Sequence, residues 1–161
     1  RLLWLGTLNT ETSTAGDQQA WLAERLAEAR PTFRRLVAQY HRPAFPAVKI
    51  PSGAYASWVP LFEKHNVDLV CEADGHCIKR TPAVRNNAID PTGVVYVGEG
   101  GLGVGQRSPK SGRWYLDPAH AKVGRGHHVH LLTIRDDQLS VRVILDTGEV
   151  FDEHVLQPRE L

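Results

Sequence analysis

The N-terminal part of this chain alternates strand-like apolar runs with helix-like amphipathic segments, and that alternation constrains the fold more than any other feature. Leu2-Leu3-Trp4-Leu5-Gly6-Thr7-Leu8 reads as a buried strand, and the polar residues 9–16 as a loop. A helix follows with Asp17 as its N-cap. It sets Trp21, Leu22, Arg25, Leu26 and Ala29 on one side, with the aromatic in the core, and Pro31 closes the segment. Phe33 to Tyr40 is a second strand, and Ser57 caps a short helix from Trp58 to His65. Val67-Asp68-Leu69-Val70 is a third strand. The strand, helix, strand unit from Phe33 onward spans about 40 residues, a length that suits a right-handed parallel crossover. Successive parallel strands end at the same sheet edge, where open α/β sheets bind their ligands.

Two groups of chemically able residues fall at that edge. His41 follows the second strand, because Pro43 cannot continue a central strand. The third strand runs into Glu72-Ala73-Asp74-Gly75-His76-Cys77-Ile78-Lys79-Arg80-Thr81-Pro82, which crowds carboxylates, an imidazole, a thiol and two cations together. Asp74 and His76 flank a glycine, so both side chains can lean to one side and share a cation through an O and N pair. Arg80 offers a planar fork to an anion. A solvated turn needing φ > 0 would have a similar composition. Cys71 and Cys77 allow one bridge around this stretch or two free thiols, so the redox compartment stays open.

Past Pro82 the chain reads as irregular until a fourth strand, Gly93 to Val97, which feeds Gly98-Glu99-Gly100-Gly101-Leu102-Gly103-Val104-Gly105. That segment contains the letters GxGxxG. A dinucleotide fingerprint needs a helix to open at the glycines, and Pro109 with its Gly- and Ser-bearing neighbours predicts a loop instead. The C-terminal part reads as an antiparallel meander: His128 to Arg135, a turn at Asp136-Asp137, Gln138 to Leu145, a turn at 146–148, and Glu149 to Leu156. A strand at its start would put His128 and His130 on one face, where they could bind a metal or form an ordinary polar strand entry.

The whole, residues 1–161, reads as one α/β domain, with a mainly parallel first sheet carrying two helices and a C-terminal antiparallel meander. With 19 basic and 18 acidic side chains and no basic run, no nucleic-acid partner is expected. No apolar run has the length of a membrane span, so no membrane partner is expected either. The chain holds no methionine and starts at Arg1 inside a strand-like segment, which reads as a piece cut from something longer.

Several segments together resemble a known family. Gln18-Gln19-Ala20-Trp21-Leu22 comes first, then a strand ending in His41-Arg42-Pro43, then Trp58-Val59-Pro60-Leu61-Phe62-Glu63-Lys64-His65-Asn66-Val67-Asp68-Leu69-Val70. Val94-Val95-Tyr96-Val97 before glycines and a meander closing on Gly148-Glu149-Val150-Phe151-Asp152 follow in the same order. The set resembles the C-terminal half of calcineurin-like metallophosphoesterases, especially purple acid phosphatases. The resemblance implies half of a layered α/β/β/α sandwich. It also implies metal-dependent hydrolysis of phosphate esters at a two-metal centre of Fe, Zn or Mn. His41 takes the place of the family's strand-end histidine ligand, and Asp74 and His76 align without gaps on its GHxH-like motif. Asp74 therefore departs from the pattern, adding charge and favouring harder ions. Arg80 becomes a candidate for contact with the substrate anion. In that family the N-terminal half supplies the remaining ligands, so His41, Asp74 and His76 would form one wall of the site. A missing N-terminal half or partner chain is then expected, and a secreted or periplasmic location fits. A non-catalytic binding or interaction domain of the same fold is the alternative.

Overall fold

The computed structural model describes residues 1–135 and 138–156. It contains β1 (Leu3–Thr7), α1 (Asp17–Ala29), β2 (Arg35–Gln39), α2 (Ala54–Ser57), α3 (Val59–Lys64), β3 (Leu69–Cys71) and β4 (Ile78–Arg80). Then come the small hairpin β5 (Val84–Arg85) and β6 (Ala88–Ile89), β7 (Val95–Gly98), a 3-10 turn (Trp114–Leu116), β8 (Lys122–Gly124), β9 (His128–Ile134), β10 (Leu139–Leu145) and β11 (Val150–Leu156). A six-stranded sheet has the order β1-β2-β3-β7-β4-β8, and a three-stranded meander has the order β11-β10-β9. β1, β2, β3 and β7 run parallel, whereas β4 and β8 join antiparallel. The expected α/β architecture is present, while the expected Asp136-Asp137 turn lies outside the described residues.

The inner parallel strands β2, β3 and β7 are largely apolar on both faces because both faces are covered, whereas β1, at the sheet edge, is not the buried strand expected, with Leu5 52% exposed. Leu36, Ala38, Val70 and Tyr96 face the helices, together with Leu22, Leu26, Trp58 and Phe62. Val37, Leu69, Val95 and Val97 face the opposite way and meet Leu139, Val141 and Leu156 of the meander. The result is three layers with two cores. Alternation along β10 is what fits it to one of them, since Leu139, Val141 and Val143 are buried and Arg142 between them is exposed.

Three local readings need correction. α1 buries Leu22, Leu26 and Ala29 at i, i+4 and i+7, and each fully buried leucine contributes roughly 2–3 kcal/mol. Trp21 lies off that stripe and is 46% exposed, so it is not core. Asp17 is the first helical residue, not the cap: Gly16 holds the cap position at φ 68 without a side-chain bond. The expected helix from Trp58 to His65 is present as α3, but Ser57 does not cap it: Ser57 ends a preceding short helix, α2, and Trp58 holds the cap position of α3 without a side-chain bond. Trp58 itself is fully buried, and its indole N–H donates to the Thr14 carbonyl at 2.7 Å.

Beyond the strands read from sequence, β4 and β8 complete the large sheet. β4 turns the chain back beside β7 immediately after the Asp74–His76 turn. The glycine segment after β7 forms a loop and opens no α-helix, as its sequence implies. Among the described residues no helix is long and apolar enough to cross a membrane.

Candidate functional site

β2 and β3 are parallel neighbours in register, with Gln39 opposite Cys71, so the chain leaves both strands at one edge. Two backbone bonds extend the pairing past the strands: Tyr40 N–H donates to the Cys71 carbonyl at 3.1 Å, and Ala73 N–H to the His41 carbonyl at 3.0 Å. His41 and the turn after β3 are thereby placed side by side. The turn is tight, with Asp74 at φ 70 and His76 at φ 58, conformations that cost side-chain-bearing residues about 1 kcal/mol or more. Gly75 between them is obligatory. A Cβ there would stand 1.5 Å from Oε2 of Glu99.

Asp74 is the electrostatic centre of this edge. Its Oδ1 accepts a hydrogen bond from Lys49 Nζ at 2.5 Å and lies 3.6 Å from Nε2 of His41. Arg107 holds the same turn from the other side, donating from its guanidinium to the Asp74 carbonyl at 3.0 Å. Burial pushes the Asp74 carboxyl up, but the Lys49 bond and charge, with His41 and Arg107 beyond, outweigh it and hold the group below the usual aspartate value. His76 points its Nδ1 at the Gly105 carbonyl, 3.2 Å away, so the glycine loop wraps this imidazole. A cleft of about 790 Å³ opens beside Asp74, lined among others by Thr10, Ser13, His41, Arg42 and Lys49. Arg42 crosses it to form two bonds with the Glu11 carboxylate.

Arg80 does not join this group. Its fork engages Asp152 of β11, Nε at 2.6 Å and a terminal nitrogen at 3.1 Å, and so ties β4 to the meander. Cys71 and Cys77 are both free thiols. Burial, reinforced by Glu72 beside Cys71 and Glu99 beside Cys77, pushes each up to about 12, so neither supplies a thiolate near neutrality.

Beneath the edge lies a polar cluster that the sequence reading did not assign. The Lys79 ammonium sits between the carboxylates of Glu72 and Glu99, and the Lys79 and both glutamate side chains are 0% exposed. Glu72 also accepts from the Tyr40 hydroxyl at 2.8 Å and the Ala44 N–H at 2.6 Å. Glu99 accepts from the Ala47 N–H at 2.6 Å, and Lys79 donates to the Phe45 carbonyl at 2.7 Å. These bonds fix residues 44–47, the segment that connects His41 to Lys49. The available signal was charge inside apolar strands, because a glutamate or lysine adjoining a buried strand must find a partner.

The family resemblance implies a two-metal centre, and the donor set does not fit one as it stands. Asp74 Oδ1 is taken by the Lys49 ammonium. Among the described residues no three His, Cys, Asp or Glu side chains converge to hold an ion.

No protein-family model matches the chain, and no curated protein matches it in sequence. Its structure, however, is similar to solved ones. The purple acid phosphatase PPD1 from yellow lupin (Lupinus luteus) seeds matches with a TM-score of 0.80 and 16% identity, over 96% of this chain and 31% of that one. GAP50, the anchor in the inner membrane complex of Plasmodium, matches with a TM-score of 0.70 and 14% identity, over 98% of this chain and 50% of that one. The three-layer architecture is thus a metallophosphoesterase-like fold, and this chain spans half or less of the length of each of these two proteins.

Proposed function

We propose that this chain is a metallophosphoesterase-fold domain that acts by binding at its strand edge and not by two-metal hydrolysis. The observation that carries the reading is Lys49 Nζ at 2.5 Å from Asp74 Oδ1. An ammonium on Oδ1 supplies the single positive charge that balances the carboxylate, and a divalent ion at Asp74 would have to share the carboxylate with that ammonium or displace it. The neighbouring cleft adds the hydroxyls of Thr10 and Ser13 to two cation–carboxylate pairs, Arg42 with Glu11 and Lys49 with Asp74, a polar lining in which the anion of a phosphate ester would take the place of a carboxylate on one of the cations.

A second reading, phosphoester hydrolysis with this chain as one wall of a larger site, is favoured by one observation. His76 directs Nδ1 at a carbonyl, which leaves Nε2 for an ion, and His41 lies within reach of the same turn. In that case the remaining ligands, and a phosphate-ester substrate, belong to a missing half or partner chain. Hydrolysis of a generic aryl phosphate by the full protein with Zn²⁺, Mn²⁺ or Fe separates the two. We expect no turnover, together with binding of the intact ester that weakens in Lys49→Ala. Turnover lost in His41→Ala and His76→Ala would overturn the binding reading in favour of the hydrolase.

A further inference from the structure

A second opening lies apart from the strand edge. It is a cavity of about 610 Å³, walled by residues 109–114, Leu116, Asp117, Pro118 and Val123, and it shares no residue with the lining of the Asp74 cleft. Sites for small organic ligands span roughly 300–1,000 Å³, so the size fits one.

Trp114 gives the cavity its apolar side. Its ring packs edge-on against those of Tyr115 and Phe45, with centres 5.5 and 6.3 Å apart at 89° and 88°, yet the residue stays 41% exposed. The indole is thus braced and still lends surface to the cavity, beside Pro109, Leu116, Pro118 and Val123. The wall is also shaped in advance. The Arg113 guanidinium donates to the Pro46 carbonyl at 2.6 Å and the Lys49 carbonyl at 2.5 Å, and Lys110 N–H donates to the Ala47 carbonyl at 2.8 Å. Three bonds to one segment hold the loop without a ligand, which lowers the ordering cost of taking one up.

The charge of the lining is positive. Its cations are Lys110 and Arg113, and its carboxylate is Asp117, whose Oδ1 accepts from the Ala119 N–H at 2.9 Å. Among the described residues Arg113 bonds neutral oxygens alone, and the Lys110 ammonium meets no partner. Two cations against one carboxylate leave one positive charge in excess.

We propose that this cavity binds a flat aromatic molecule with one negative charge, the ring against Trp114 and the anionic group at Lys110. Aromatic pairs gain beyond the area they bury, so an aromatic body suits Trp114 better than an aliphatic one. The single anionic group offsets the excess cation.

The test titrates 2-naphthoate and its neutral counterpart 2-naphthamide into the full protein, followed by calorimetry and by the indole N–H resonance of Trp114. The expected result is one naphthoate per chain with a shift of that resonance, and naphthamide bound about two- to fivefold more weakly, the worth of an exposed charge pair. Lys110→Gln should weaken naphthoate by the same factor and leave naphthamide unchanged, whereas Trp114→Ala should weaken both at least about tenfold. Lys49→Ala, which alters the strand edge, should bind naphthoate as the wild type does, and this separates the cavity from the fate of the edge. Should Trp114→Ala fail to fold, the Trp114 resonance of the wild-type protein still decides. No saturable binding, an unmoved Trp114 resonance, equal binding of the two probes, or naphthoate binding that depends on Lys49 would overturn the site.

Discussion

Two lysine–carboxylate clusters lie on either side of one turn, and they differ in almost everything but their chemistry. In the inner one Lys79, Glu72 and Glu99 are 0% exposed, and every charge is held by backbone or hydroxyl groups as well. In the outer one Asp74 is 15% exposed, Lys49 41% and His41 56%, and water can replace any of the contacts. Removing a partner from a buried network leaves an uncompensated charge, whereas an exposed pair exchanges one solvation for another. The same interaction is therefore scaffold in one place and adaptable surface in the other. A binding edge requires this division: a rigid base that positions a cluster free to exchange its partner.

The largest effect should come from Lys79→Met, which strands two carboxylates in the core. We expect a loss of about 3–5 kcal/mol by chemical denaturation, and a cost below about 1 kcal/mol would show the inner cluster to be dispensable. Tyr40→Phe removes one donor from buried Glu72 and should cost about 1.5–3 kcal/mol, with little change in the denaturant slope. At the other extreme Lys49→Ala should change stability by no more than about 1 kcal/mol and should reduce its sensitivity to salt.

The two clusters should also respond oppositely to pH, a smaller but sharper contrast. Burial raises Glu99 despite Lys79, so its contribution is complete below about pH 4.5 and is lost as pH rises through its folded value. Asp74 is held low, so its contribution is complete above about pH 3.8 and is lost as pH falls through its folded value. Glu99→Gln should therefore flatten the alkaline side of the stability profile in the mildly acidic range, and Asp74→Asn the acid limb. Identical changes in both variants would erase the distinction.

The same contrast explains what could be read in the sequence. β2 and β3 were legible because parallel strands covered on both faces are continuous apolar runs, and the shared edge of His41 and Asp74 follows from one crossover. β4 was not, since three residues that include Lys79 and Arg80 look like a polar turn until their partners are known. Lys49 was invisible for a different reason. Its segment owes its course to backbone N–H groups of Ala44 and Ala47 meeting carboxylates far along the chain, and no local pattern encodes such pairings. Trp21 misled because a residue beside the stripe formed by Leu22 and Leu26 differs from one within it by a single step of the helix.

The bond pair between Arg80 and Asp152 has a mechanical meaning. One contact between β4 and β11 would be a pivot about which the meander could swing against the large sheet. Two contacts from a planar fork, at 2.6 and 3.1 Å, make a rivet that resists both sliding and rotation. β4 begins at Ile78, just beyond the Asp74–His76 turn, and β11 pairs with β10, which pairs in turn with the strand of His128 and His130. The fastening therefore sets the lateral alignment of the strand edge against the meander, so loosening it with Arg80→Lys would let one shift past the other.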